Sequence, residues 1–281
     1  MNHLYRELAP VTAGAWDAID GEARSRLTTF LAARKLVDFS GPHGWEHACF
    51  DLGRVSVLPT EPSSGVQGAL RQLQPLVELR TDFSLSRTVL DDIGRGSPDP
   101  DLDAVVDAAR RIALAEDNLV FNGYAAASVE GITEATPHAP LPMPDDWDRF
   151  PTAVAQAVGV LREAGVSGPY ALALGPGPYT GLTETAYGGY PVLNHVRLLL
   201  EGPVVWAPAV ECAVVLSVRG GDFELVSGQD LSVGYVAHDA VAVQLYLQES
   251  LTFRALTPEA AVVIGAAAPA TSGRGSRARK R

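Results

Sequence analysis

The sequence predicts an α+β fold in which one domain is interrupted by another, and three observations predict it. Apolar residues recur at three- and four-residue steps near the start and again after residue 102, the spacing of helices with one buried face. Over residues 76–85, and again over 241–253, they fall at every second position, the pattern of long half-buried strands. Between about 132 and 220 short helical and strand-like runs alternate, which reads as a compact α/β unit inserted into the first domain.

The first helix follows Thr12, a residue type that caps helix N-termini, and carries Trp16, Ile19, Ala23, Leu27, Phe30 and Leu31 on one stripe. Arg34 and Lys35 stand near its C-terminal end, where the macrodipole favours cations. Residues 40–68 are rich in Gly, Pro and Ser and hold one short strand-like piece, Val55 to Leu58. They read as a hairpin that needs a partner outside its own core. Val77, Leu79, Thr81, Phe83 and Leu85 then face one side of a strand of about ten residues. After a turn at 94–101, Asp99 or Asp101 is expected to cap a long helix with Leu102, Val105, Val106, Ala109, Ile112, Ala113, Leu119 and Val120 on one face. A Pro-rich loop at 131–151 leads to helix 152–164, strand Tyr170–Leu174, a Gly-Pro-Gly-Pro turn, a short helix near 179–186 and a helix at 192–200. Strands near 203–207 and 212–218 complete the insertion, and Arg219-Gly-Gly-Asp222 is a tight turn. Strands at Phe223–Ser227, Leu231–Val236, a long one near 241–253 and a last one at 260–264 return to the first domain. The long strands near 80 and 247 are expected in one sheet, with the helix at 102–122 across it. Residues 266–281 read as a disordered basic tail.

Composition excludes several classes. A chain that is 47% hydrophobic and 20% charged is not a disordered polymer, and 281 residues can bury a core without staples. Two cysteines, Cys49 and Cys212, make no disulfide framework and suit a reducing compartment. No run approaches the ~20 apolar residues of a membrane span, and the start has no basic-then-apolar secretory pattern. The net charge of -11 is uneven: no acid follows Glu259, while Arg274, Arg277, Arg279, Lys280 and Arg281 place +5 in the tail, which leaves the body at -16. An acidic body repels phosphates and argues against a nucleic-acid binder.

The residues offer little for catalysis. Gly175-Pro-Gly-Pro178 follows a strand, but it lacks a Lys, and its prolines remove the N–H groups a phosphate loop needs. Asp99, Asp101 and Asp103 imitate a calcium loop that then fails at Ala104 and Arg110. His43 and His47 bracket Trp45 in a Pro/Gly loop, a poor metal site. Cys212 lies in an apolar strand, the setting of an inert thiol. The acid pairs Asp91/Asp92 and Glu116/Asp117 are expected on solvated or ion-paired helix faces. No enzyme, cofactor or metal site emerges.

An ordered set of short motifs carries a resemblance. Leu4-Tyr-Arg-Glu-Leu-Ala-Pro-Val-Thr12, Gly41-Pro-His-Gly-Trp-Glu46, Leu79-Arg-Thr-Asp-Phe-Ser-Leu85, Glu116-Asp117 with Phe121-Asn-Gly123, Arg219-Gly-Gly-Asp-Phe223, Gly228-Gln-Asp-Leu-Ser-Val-Gly-Tyr235 and Leu245-Tyr-Leu-Gln-Glu-Ser-Leu-Thr-Phe253 occur in sequence. Together they resemble the encapsulin shell proteins, also known as the linocin-type bacteriocin family, from about residue 3 to 264. The resemblance implies a tailed-phage major-capsid fold. Residues 1–44, 76–131 and 223–265 would be its P-domain, 45–75 an E-loop that pairs with a neighbouring subunit, and 132–222 its A-domain.

The resemblance further implies a cytoplasmic, non-enzymatic shell. Many copies, about sixty in an icosahedral particle, would close around a cargo enzyme, a dye-decolorizing peroxidase or a ferritin-like iron oxidase. The cargo would dock through a C-terminal targeting peptide in a groove formed by Leu27, Leu31, Arg34, Asp38, Leu231, Val233 and Tyr235. The loop Thr185-Ala186-Tyr187-Gly188-Gly189-Tyr190 would line a five-fold pore. The alternative is a phage-derived capsid or bacteriocin-like particle without enzymatic cargo.

Overall fold

The computed structural model describes residues 3–265, so the expected basic tail lies outside the described residues. Helix α1 (Ala13–Phe30) begins at Thr12, whose hydroxyl accepts the Ala15 N–H at 3.2 Å, and it buries Ala15, Trp16, Ile19, Ala23 and Leu27. A 3-10 turn at Ala33–Lys35 leads to β1 (Asp38–Ser40), a short strand with no signal in the hydrophobic pattern. The expected hairpin is present and longer than its short apolar run: β2 (Cys49–Val57) pairs antiparallel with β3 (Ala69–Pro75). Backbone pairing, rather than burial, defines it, since most of its side chains are exposed.

Strand β4 (Val77–Ser86) buries Phe83 and Leu85 and keeps Val77, Leu79 and Thr81 half-buried, on the face that period two predicts. Ser86 then caps α2 (Arg87–Gly94), a short helix the sequence reading missed. Helix α3 (Asp103–Asn122) crosses β4, but neither Asp99 nor Asp101 is its cap residue. Leu102 holds that position without a side-chain bond, and Asp101 instead accepts the Asp103 N–H. Within the Pro-rich loop lies α4 (Ile132–Ala135), and α5 (Phe150–Glu163) follows.

Strand β5 (Tyr170–Leu174) is wholly buried. The glycine–proline run after it is not a turn. It is the first turn of α6 (Pro176–Glu184), with Gly175 at the N-cap and Pro176 at the position where a missing N–H costs nothing. Gly175 is required by packing: a Cβ there would lie 2.3 Å from the Val210 carbonyl oxygen. A two-residue hairpin of β6 (Ala186–Tyr187) and β7 (Tyr190–Pro191) leads to α7 (Val192–Leu200), β8 (Glu201–Trp206) and β9 (Ala213–Ser217). Strands β10 (Phe223–Ser227), β11 (Ser232–His238), β12 (Ala242–Ala255) and β13 (Ala261–Ile264) end the described chain.

Two sheets organise these elements. In the first, β12 pairs antiparallel with β10, β11 and β4, and β1 adds in parallel to β10. The expected partnership of the strands near 80 and 247 is therefore present. The second sheet runs β13-β9-β5-β8. Its first strand is a difference from the sequence reading, which grouped 260–264 with the returning strands. Ala261–Ile264 pair instead with Ala213–Leu216 of the insertion, because four fully buried aliphatic positions need cover on both faces. One apolar core joins α1, α3, β4 and the first half of β12; a larger one surrounds the second sheet.

Candidate functional site

A groove of about 410 Å³ runs between the C-terminal half of α1 and the start of β11. Leu27 and Leu31 form its helix wall, Leu231 and Val233 its strand wall, and Leu247 of β12 its floor. Leu4 and Arg6, from the segment before α1, close one end. That segment is fixed in place. Leu4 accepts the Tyr235 N–H at 2.9 Å, and Arg6 donates to both oxygens of Asp20 at 3.2 and 2.7 Å while stacking over Trp16.

Beneath one wall lies an ionic cluster. Arg34 donates from Nε to both oxygens of Glu116 at 2.8 and 3.0 Å. Its Nη2 donates to Glu116 at 2.6 Å and to Glu249 at 3.1 Å, and its Nη1 to Asp230 at 2.7 Å. The side chains of Glu116 and Glu249 are 0% exposed, whereas Asp230 reaches solvent at the groove edge. Burial opposes the charge on Arg34, yet the three carboxylates together hold its pKa above the ordinary value. Glu249 is pushed well above the carboxylate range, first by burial and then by neighbouring Glu116, and its Oε1 has no hydrogen-bond partner among the described residues.

Asp117 completes the support. Where the chain leaves α1, the N–H groups of Ala32 and Ala33 donate to its carboxylate, at 3.1 and 2.9 Å from Ala32 and 2.9 Å from Ala33. Burial pushes Asp117 up to about 7, and those N–H bonds pull against it. The expectation of a solvated or ion-paired face holds only for Glu116, which is ion-paired with Arg34; both residues are fully buried, and Asp117 is held by backbone N–H groups instead. Glu116 falls four residues after Ile112 and four before Val120, and Glu249 falls in the same alternation as Leu245, Leu247 and Leu251. A charge in the apolar phase was the available signal for both.

The structure divides the predicted groove residues. Leu27, Leu31, Arg34, Leu231 and Val233 line the groove together. Tyr235 lies further along β11, with its hydroxyl 2.6 Å from His238 Nδ1, and does not line it. Asp38 is elsewhere: it opens β1, and its Oδ2 accepts the Gly221 N–H at 2.5 Å. The resemblance also counts Arg34 among the residues that hold the peptide. The ion pairs leave it at most one N–H, on Nη1.

The segment Thr185 to Tyr190 is a hairpin standing away from the body. Thr185 anchors it through Gly181 O at 2.7 Å, and Ala186 and Tyr187 pair with Pro191 and Tyr190. Gly188 (φ 58°) and Gly189 (φ 82°) make its two-residue turn, where both positions need a left-handed backbone. Tyr187 is 64% exposed. The β2–β3 hairpin exposes Val55, Val57, Leu70 and Leu73, apolar side chains without cover from the described residues.

Among the described residues no group of three or more His, Cys, Asp or Glu could hold a metal. His43 and His47 stand ring to ring at 4.8 Å, with His43 Nε2 bonded to Ser40. Cys212 is buried, and burial raises its thiol to about 11, well above a reactive range. No helix of the described residues is long and apolar enough to cross a membrane.

The long two-sided strand β12, the crossing helix α3, the projecting hairpin β2–β3 and the inserted second sheet define a capsid-type subunit. Solved structures share this architecture. A virus-like particle from Pyrococcus furiosus matches with a TM-score of 0.63 and 15% identity, covering 89% of this chain and 98% of that one. The capsid of Myoviridae phage XM1 matches with a TM-score of 0.54 and 10% identity, over 83% and 91%. The family model described as "Encapsulating protein for peroxidase" matches residues 1–252. The type 1 encapsulin shell protein of Rhodospirillum rubrum is 53% identical over 268 residues, 93% of this chain and 96% of that one. The chain belongs to this family of encapsulin shell proteins.

Proposed function

We propose that this shell subunit closes with about sixty copies of itself into an icosahedral particle in the cytoplasm and encloses a cargo enzyme through the groove between α1 and β11. The observation that carries the reading is the groove itself. A cleft with Leu27, Leu31, Leu231 and Val233 on its walls, in which Arg6 is paired with Asp20 and Arg34 with Asp230 while Arg24 lines the rim, suits an extended segment with aliphatic side chains. Tyr235 and Asp38 have no direct part in it; Arg34 serves as its support. The matching family is described by peroxidase encapsulation, which favours a dye-decolorizing peroxidase as cargo over a ferritin-like iron oxidase. The shell performs no chemistry of its own and needs no cofactor.

Three parts of the assembly follow. The β2–β3 hairpin acts as the E-loop, gaining cover for Val55, Val57, Leu70 and Leu73 from a neighbouring copy. The P-domain comprises the first sheet with α1 and α3, and the A-domain comprises the insertion. The hairpin from Thr185 to Tyr190 faces the five-fold pore, which Tyr187 narrows and to which the glycine turn brings no charge. The test is to purify the particles from the source organism and identify their contents by mass spectrometry. A peroxidase whose retention is lost on truncating its C-terminal peptide supports the reading; particles without any enzyme support the phage-derived alternative.

A further inference from the structure

We propose that Glu249 and Glu116, gathered behind the cation Arg34, set the position of Asp230 and with it the strand wall of the groove, so that this wall loosens when the buried pair gives up its proton. The geometry is a competition for one guanidinium. Two wholly buried carboxyls and one solvent-facing carboxylate share Arg34, and Nη2 serves both buried ones, at 2.6 Å to Glu116 and 3.1 Å to Glu249. The groups that face Glu249 are Arg34 from the turn after α1, Glu116 from α3, with Asp117 one residue further on, and Asp230 from the segment before β11. The residue paired with Glu249 on β4 is Leu79, which does not titrate.

Three ionised carboxylates around one cation would bury two negative charges with one counterion. The arrangement is stable with one proton held on the pair, and Glu249 is where it sits, since Oε1 is buried and accepts no bond from the described residues. Loss of that proton to solvent draws Arg34 inward toward a second buried anion. The member that yields is Asp230, because its side chain is 42% exposed and water can replace its bond. Asp230 is also the anchor of the wall: its Oδ1 accepts the Leu231 N–H at 2.8 Å, and its carbonyl accepts the Ser232 hydroxyl at 2.7 Å. Leu231 and Val233, the strand wall, follow directly. The consequence for cargo, firmer retention at lower pH, rests on the groove reading above; the movement of the wall does not.

The experiment therefore reads the wall alone, by hydrogen–deuterium exchange of residues 230–234 in assembled cargo-free particles. After correction for intrinsic exchange, wild-type protection should fall about tenfold between about pH 6 and about pH 9. Glu249→Gln, a stand-in for the protonated acid, should keep the pH 6 protection throughout, with a change under about twofold. Asp230→Asn should show at about pH 6 the fast exchange of the wild type at high pH, and it decides the matter should the Glu249 variant not assemble. A flat wild-type profile, an equal pH response in Glu249→Gln, or unchanged protection in Asp230→Asn would each overturn the proposal.

Discussion

Replacing Arg34 by alanine is the most informative single change. In the wild type the guanidinium holds Glu116 by three contacts of 2.6–3.0 Å, and Glu249 by one of 3.1 Å, both with no solvent exposure. Alanine removes the only cation that faces Glu249 among the described residues. Breaking a buried ion pair by deleting one partner costs about 3–5 kcal/mol, and here two buried carboxyls lose their counterion at once. A domain is stable by only about 5–15 kcal/mol, so Arg34→Ala should lower shell yield sharply, and cargo loading only through that loss. The sign of the pH effect follows from Glu249, which burial already holds above the carboxylate range and which then loses its cation. Its contribution is therefore retained at low pH and lost as pH rises, and the defect should shrink in mild acid. The assay is denaturant unfolding of purified particles at matched protein concentration, with soluble yield alongside. Adding Glu116→Gln to Arg34→Ala should recover part of the loss, since the two residues are coupled. Normal yield and an unchanged unfolding midpoint for Arg34→Ala would refute the argument.

Asp117→Asn keeps one of the two acceptor oxygens on which the Ala32 and Ala33 N–H groups now end, and should cost about 1–3 kcal/mol in the same unfolding assay. Because burial raises Asp117 to about 7, wild-type stability should decline as pH rises from the ordinary carboxylate range toward 7, and the asparagine variant should lack that component of the slope. Gly175→Ala forces a Cβ against the Val210 carbonyl oxygen, with a cost of about 1–3 kcal/mol or more, visible as a lowered melting temperature. Deleting about residues 50–72 should leave a folded subunit by circular dichroism and abolish closed particles by electron microscopy; intact shells would contradict the E-loop assignment.

Regular elements were legible where periodicity and burial agree. The α1 stripe, the ten residues of β4 and the fourteen of β12 lie where the apolar positions place them. The hairpin at 49–75 was legible as a hairpin, but its length was not, because strands with exposed side chains carry no alternation to read. Periodicity also could not assign β13 to a sheet: four buried aliphatic residues fit either one, and only tertiary packing decides. The glycine–proline run read as a turn because proline usually breaks a helix, whereas at the first helical position it starts one. In the groove, the aliphatic residues named by resemblance lie together, whereas the ion pairs of Arg34 had no signal in the sequence. Its partners are 82, 196 and 215 residues away in sequence, a separation that no local pattern spans.

The central claim is that this chain is one tile of a closed shell, and particle mass with electron microscopy tests it most directly. About sixty subunits of 29.7 kDa give a hollow icosahedral particle of roughly 1.8 MDa, which the account predicts as the main species of the purified protein. A monomer or small oligomer at working concentration, with no closed particles in the images, would contradict it.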